Sequence, residues 1–218
     1  VVGDVGADLV GAGRFDVSGD DHVHAHALGG ELFAVKGYAG TTLDDLVAAT
    51  GLGKQSLYNS FGGTRELFLR ALSSDARVAP EPVREALSGS SSTPLERIRG
   101  QLLTLAITHS AADVQGSLFT KATVELGHRD VEVSESALDA LGELQEVYRD
   151  CIVDAQEAGE VETEADPTPL AAFYVMVARG MEVLGAAGVS RADLTAIALT
   201  ALDALPLTAL GDQRRQAD

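Results

Sequence analysis

One cysteine, Cys151, stands among 218 residues, so the chain closes no internal disulfide and builds no cysteine-cluster metal site; a reducing compartment is the expectation. Bases are also scarce. Sixteen Lys and Arg face 33 Asp and Glu, for a formal net charge of −17, which excludes a broadly basic nucleic-acid surface. No apolar run of membrane-spanning length stands out, and the opening VVGDVGADLVGAGRFD carries acids where a secretory signal would carry a basic end followed by an apolar stretch. A soluble, cytoplasmic protein without a membrane partner is expected. Strand-like alternation is missing over any useful length, whereas helical periodicity recurs, so the expected fold class is all-α.

The shortage of bases is uneven. Residues 1–21 hold five Asp and one Arg, residues 22–70 hold four acids and four bases, and the remainder holds 24 acids against 11 bases. Contact with phosphate is therefore least penalised within 22–70, and the acidic bulk repels it elsewhere. Residues 1–21, rich in Gly, Asp and Val without periodicity, are expected to be a disordered leader. Their glycines do not match dinucleotide-loop spacing, and no cofactor is expected.

From His22 the pattern becomes helical. Leu28, Leu32 and Val35, with Phe33 alongside, make one stripe ending at Lys36-Gly37. Thr42 is placed to cap a second helix, with Asp45 three residues on, which must stop near Gly51. A third short helix runs from about Lys54 to Ser60 on the inward anchors Leu57 and Phe61, before Gly62-Gly63. Thr64 opens a fourth, which ends before Pro80 and Pro82. Thr93-Pro94-Leu95-Glu96 reads as a capping box for the next helix, and further helices are expected over about 113–127, 131–158, 167–187 and 190–205. The division this suggests is a helix-turn-helix head over 22–72, a larger helical domain over 73–206 and a flexible tail over 207–218.

Two short helices joined by a tight turn match the arrangement whose second helix enters a major groove. Outward side chains near the start of that helix arrive first, which selects Lys54, Gln55 and Ser56 for base edges. Thr41, Thr42, Tyr58, Asn59 and Ser60 suit the phosphate backbone. Short helical pairs are also common in proteins that never meet DNA.

LFAVKGYAGTTLDDLVAATGLGKQSLYNSFGGTRELFLRAL, residues 32–72, resembles the N-terminal domain of the TetR family of transcriptional regulators through Phe33, Gly37-Tyr38, Thr41-Thr42, Leu46-Val47-Ala48, Gly51, Leu57-Tyr58, Phe61 and Leu67. GSLFTKATVEL, QEAGEV and ARGMEVLGAAGVSRADL, within 116–205, look like stretches of a C-terminal domain found in some members. The resemblance implies a homodimer that binds double-stranded DNA, usually a repressor, whose second domain holds a small-molecule effector and the dimer contact. The family's phosphate-facing lysine is replaced here by Thr64, with Arg65 beside it as a differently aimed substitute. His26 and Gly30 occupy positions of the first helix that are normally apolar, which predicts a weakened head.

Other chemistry finds little support. His22 and His26 with Asp20 or Asp21 fall short of a four-ligand zinc site, so no metal is expected. Cys151 has no nearby histidine in sequence, and His109 and His128 have no orienting group, so an enzyme is not expected. Phe119, Tyr148, Cys151, Phe173 and Met176 are candidates to line an effector cavity, or simply core. Val177, Leu184, Leu194, Ile197 and Leu205, with Phe173, are candidates for a four-helix dimer interface, eased by the small residues Gly180, Gly185, Ala186 and Ala187. An acidic, all-helical interaction protein whose head no longer binds DNA is the rival.

Overall fold

A computed structural model of the chain describes residues 19–78, 80–111 and 116–217. Eleven helices make up the described fold, alongside one isolated antiparallel bridge between Val161 and Leu207. Helices α1 (Gly19–Lys36), α2 (Leu43–Thr50), α3 (Lys54–Phe61) and α4 (Thr64–Val78) form the head. The body contains α5 (Glu81–Leu87), α6 (Pro94–Thr108), α7 (Leu118–Leu126), α8 (Val131–Glu157), α9 (Pro167–Ala186), α10 (Arg191–Leu202) and α11 (Ala209–Ala217). The leader expected over 1–21 lies outside the described residues up to position 18, and from Gly19 the chain is already helical.

The caps explain where the helices begin. Thr42 Oγ1 accepts the Asp45 N–H at 3.1 Å while Asp45 Oδ2 accepts the Thr42 N–H at 3.0 Å, and Thr93 and Glu96 repeat this exchange ahead of α6. Each such cap stabilises its helix by about 1 kcal/mol. Gly51 ends α2 with φ 71°, a left-handed turn that an L side chain resists.

The face that α1 buries is not the expected one. Ala25, Gly29 and Phe33, four apart, point inward; Leu28 and Leu32 are half-buried and Val35 is exposed. The cause is Gly29, where Leu67 of α4 fills the space a side chain would take; a Cβ there would stand 3.2 Å from Leu67 Cδ2. Phe33 meets Phe68 edge-on at 5.2 Å and Tyr38 closes the cluster, an aromatic centre set among Leu46, Leu57, Leu67 and Leu72 in the head core. His26 stays half-buried, outside this core, and the expected penalty for a buried histidine does not arise.

The last helix of the head carries its core on into the body. Helix α4 runs unbroken past residue 72, and the head core continues through Phe119 and Ala122 of α7 into Val133, Ala137 and Ala140 of α8. A second core joins α5, α6, the rest of α8, α9 and α10 around Ile98, Leu102, Tyr148, Ile152, Tyr174 and Met181. Contrary to the sequence expectation, α9 is long and apolar enough by composition to cross a membrane. Here it packs along α8 with Ala171, Tyr174, Ala178 and Met181 buried.

Residues 207–217 are not a flexible tail. Glu162 N–H donates to the Pro206 carbonyl at 2.9 Å, and Thr208 N–H donates to that of Glu160 at 3.0 Å. Arg214 of α11 donates to Glu160 Oε1 at 2.6 Å, and the Leu95 N–H donates to Oε2 at 3.1 Å. A fully buried carboxylate thus fastens the chain end to the start of α6.

Candidate nucleic-acid interface and ligand cleft

Leu57 and Phe61 are buried, which fixes α3 against the head and turns its opposite face to solvent. Lys54, Gln55, Tyr58 and Asn59 are exposed there; Ser56, Ser60 and Thr64 are half-buried, and Thr42 is exposed at the start of α2. Gln55 Nε2 donates to Asn59 Oδ1 at 3.0 Å, one turn apart along this face. The outward stripe read from the sequence is therefore assembled, with two exceptions.

Thr41 is buried, and its hydroxyl donates to the Gly37 carbonyl at 2.7 Å, closing the turn after α1 instead of facing outward. Arg65 is committed to the body: it donates to both carboxylate oxygens of Asp130, at 3.2 and 3.0 Å, and to Glu132 at 3.2 Å. Burial works against the charge on Asp130, but Arg65 and the N–H groups of Val133 and Glu132 outweigh it and hold this carboxyl below its ordinary range. Arg65 thus braces the head against the start of α8, with its guanidinium committed to two body carboxylates.

The other head cations are engaged too. Lys36 pairs with Asp45 and Lys54 with Asp44, each at 2.6 Å, while Arg70 lies 5.8 Å from the Phe61 ring centre and reaches the Ser60 carbonyl. The Lys36 hydrogen bond, followed by the Thr42 N–H and hydroxyl, holds Asp45 down to about 2. On the body side, Glu125 accepts the N–H groups of Tyr38 and Ala39 at 2.9 and 2.8 Å, and Lys121 donates to the Ala34 and Val35 carbonyls. Gly37, at φ 75°, permits this clasp, since a Cβ there would lie 2.6 Å from the Glu125 carboxylate.

A cleft of about 880 Å³ opens between the end of α4, α5, α6, the start of α7 and α9. Val78, Val83, Ala86 and Leu105 supply apolar wall, and Arg97, Gln101, His109, Arg179 and Glu182 supply polar groups. Glu182 accepts the Ser117 N–H and hydroxyl at 3.0 and 2.7 Å and pairs with Arg179 at 2.9 Å. Burial alone would raise Glu182, but the Ser117 hydrogen bonds and the Arg179 charge bring it below the usual carboxylate range. Asp75 accepts the Phe119 N–H at 2.8 Å; burial dominates there and pushes its carboxyl up.

None of the five expected effector residues lines this cleft. Phe119 belongs to the core shared by head and body, with Arg179 6.0 Å from its ring centre. Tyr148 and Cys151 are buried between α8 and its neighbours. Cys151 Sγ lies 3.6 Å from the Pro94 carbonyl, and burial pushes the thiol up to about 12, so it stays un-ionised at neutral pH. Phe173 and Met176 are exposed on the far face of α9. The cleft residues were missed because Arg97, Gln101, Arg179 and Glu182 are polar positions within apolar helices. The available signal was charge at a core-facing phase, such as Glu182 beside Met181.

The proposed dimer positions divide. Leu194 and Leu205 are buried in the chain's own core, and Gly185 is occupied internally because a Cβ there would collide with the His109 carbonyl. Val177 and Ile197 are half-buried, whereas Leu184 is exposed alongside Phe173, Met176 and Val183 on α9 and Leu199 on α10. His109 and His128 have different surroundings: His128 accepts from its neighbour Arg129, while His109 borders the cleft.

Comparison with known proteins agrees with this geometry. Residues 29–71 match the bacterial regulatory proteins of the tetR family, and residues 94–187 match a tetracyclin repressor-like C-terminal domain. The HTH-type transcriptional repressor DhaR of Mycobacterium sp. (strain GP1) is 25% identical over 152 residues, covering 70% of this chain and 75% of its own. The regulator YezE of Bacillus subtilis (strain 168) is 42% identical over 67 residues, which cover 26% of this chain and 34% of its own. Among solved structures, a cysteine mutant of the TetR-family regulator CifR in complex with a 26-bp double-strand operator DNA superposes with a TM-score of 0.74 at 26% identity. It covers 84% of this chain and 96% of its own. A TetR regulator from Chloroflexus aurantiacus shares the fold with a TM-score of 0.77 at 23% identity, covering 87% of this chain and 98% of its own.

Proposed function

The chain belongs to the TetR family of transcriptional regulators, and from that premise we propose that it is a repressor that reads a two-fold symmetric operator through α3. It is a ligand-responsive, DNA-binding regulator, as the match of both its halves to the family and its likeness to an operator-bound relative support. The observation that carries the reading is the polar stripe of Lys54, Gln55, Tyr58 and Asn59 on a short helix anchored from behind by Leu57 and Phe61.

Gln55 and Lys54 are assigned to base edges, with Ser56 beside them. Thr42, Tyr58, Asn59, Ser60 and Thr64 are assigned to the phosphate backbone. Two protomers meet through the apolar stripe Phe173, Met176, Val183 and Leu184 of α9 together with Leu199 of α10, in a four-helix arrangement. Reading two half-sites in this arrangement requires the two α3 helices to stand about 34–36 Å apart, one turn of B-DNA. A cytoplasmic, non-enzymatic protein is consistent with this role.

The cleft is the proposed effector site. Helix α4 contributes Leu67 and Phe68 to the head core and Asp75 and Val78 to the cleft, so one rigid element touches both sites. An effector that prefers one setting of α4 shifts the head spacing by its differential affinity for the two states.

Selection from randomised duplexes with the purified full chain at low salt tests the proposal. The expected result is an enriched two-fold symmetric site that Gln55→Ala relaxes at one symmetric pair of positions and Tyr58→Ala weakens uniformly. Failure to enrich any site would favour the rival reading, an acidic interaction protein, which the engaged head cations otherwise suggest.

A further inference from the structure

The polar atoms of the cleft are unevenly satisfied. Its carboxylates all have donors: Glu182 accepts from Ser117 and Arg179, Asp75 from Phe119, and Glu96 from Thr93. Its nitrogens do not all have acceptors. The side chain of Arg97 is only 9% exposed; it donates from Nη1 to the Leu87 carbonyl and from Nη2 to Asp154, yet its Nε–H is buried without an acceptor. Arg179 repeats the pattern, with Nη1 on Glu182 and Nε buried unpaired, and His109 Nδ1 is buried unpaired nearby. Behind them the buried Tyr148 hydroxyl, close to Gln101, makes no hydrogen bond of ordinary geometry.

Resting on the assignment of this cleft as the effector site, we propose that it selects uncharged, largely apolar molecules bearing a hydrogen-bond acceptor oxygen, such as ketones and esters, over carboxylates and amines. Buried N–H groups seek acceptors, and the chain supplies none for Arg97 Nε and Arg179 Nε; both side chains line the cleft but their Nε atoms are shielded from solvent, so an acceptor oxygen reaches them only as either side chain turns towards it. An anion would meet Asp75, Glu96 and Glu182 against only Arg97 and Arg179, so the lining opposes it. Burial lowers the pKa of His109, opposed by Glu182 and aided by Arg179, so this side chain adds no positive charge at neutral pH. An ammonium group would find every lining carboxylate already bonded. The walls of Val78, Val83, Ala86 and Leu105 accept the apolar remainder.

The test uses four matched probes on the full chain: acetophenone, ethylbenzene, benzoate and benzylammonium, with affinities from ligand-observed NMR titration. Acetophenone is expected to bind about tenfold tighter than the other three. A Cβ at Gly100 meets no atom within 4 Å, so Gly100→Phe adds a ring to the cleft wall without backbone strain and should block binding; Thr104→Phe, one turn further along α6, repeats the block. Arg179→Met and, separately, Arg97→Met should bring acetophenone towards the level of ethylbenzene while ethylbenzene itself changes little. Benzoate or benzylammonium binding at least as tightly as acetophenone, acetophenone no better than ethylbenzene, or no binding by any probe would overturn the ligand class. Release of the selected operator is scored separately. Acetophenone binding that Gly100→Phe abolishes but that leaves operator affinity unchanged supports the ligand class and refutes the cleft as effector site. Operator release by a charged probe acting through the cleft does the reverse.

Discussion

Replacing Asp44 by Asn should tighten operator binding, and the structure sets the size of the effect. Lys54 opens α3 on the groove-facing stripe, but its ammonium is held by Asp44 at 2.6 Å, with the two side chains 59% and 79% exposed. A pair this exposed is worth at most about 1 kcal/mol, roughly a fivefold cost if Lys54 must leave it to reach DNA. Removing Asp44 also deletes one negative charge beside the duplex. One additional net phosphate neutralisation steepens the salt dependence by about 0.9 in log–log slope, or roughly a 3.5-fold larger loss of affinity between 50 and 200 mM salt. Asp44→Asn is therefore expected to bind the selected operator about three- to tenfold tighter at low salt, with an advantage that shrinks as salt rises. Fluorescence anisotropy across a salt series measures both. Asp44 lies in the first turn of α2, where an acid favours the helix dipole, so thermal stability should fall slightly while affinity rises. The share that comes from releasing Lys54, up to about fivefold, should vanish in a Lys54→Ala background, leaving only the share from the deleted charge. Unchanged affinity and slope, or a gain just as large in the Lys54→Ala background, would refute the placement of Lys54 at the duplex.

Four further outcomes follow from single contacts. Met176 is 68% exposed, so Met176→Glu should leave the protomer fold intact yet shift sedimentation from dimer to monomer, and an unchanged dimer would exclude the α9 stripe. Asp45 has a depressed carboxyl, so its contribution to stability is complete above its ordinary 3.8 and is lost as pH falls towards about 2. The melting temperatures of wild type and Asp45→Asn should differ above 3.8 and converge near 2. Arg214→Ala leaves the fully buried Glu160 without its cation and should cost about 2–4 kcal/mol in urea unfolding, whereas a loose chain end would cost nothing measurable. Cys151, with its thiol pushed up to about 12, should resist iodoacetamide in the folded protein at pH 8 and react only after unfolding.

What the sequence made legible was local. Thr42 with Asp45, and Thr93 with Glu96, define helix starts within four residues, and Gly51 needs only its own backbone to end α2. Leu57 and Phe61 gave the orientation of α3 because four-residue spacing on a short helix leaves one solution. What stayed hidden depended on distant partners. Arg65 looked free until Asp130 and Glu132 arrived from 65 and 67 residues away, and the chain end looked loose because Glu160 meets Arg214 across 54 residues. Periodicity put Phe173 and Leu184 together with Leu194 and Leu205 as dimer candidates, and Met176 with the cavity candidates, because it carried no information on which side of α9 or α10 faces the core. The cleft was missed for a related reason: an unpaired Nε–H on Arg97 or Arg179 is a property of packing, and no residue pattern states it.

The central claim is that two copies of α3 are presented to one duplex at its helical repeat. A nitroxide at position 53, introduced as Gly53→Cys at the exposed start of α3 where a Cβ meets no atom within 4 Å, labels each protomer once because Cys151 is buried, and dipolar electron resonance then reports the separation. On the selected operator, a narrow distribution within the label's reach of about 34–36 Å is the predicted result. A distribution that excludes that spacing, or that is the same with operator and with unrelated duplex, would contradict the account.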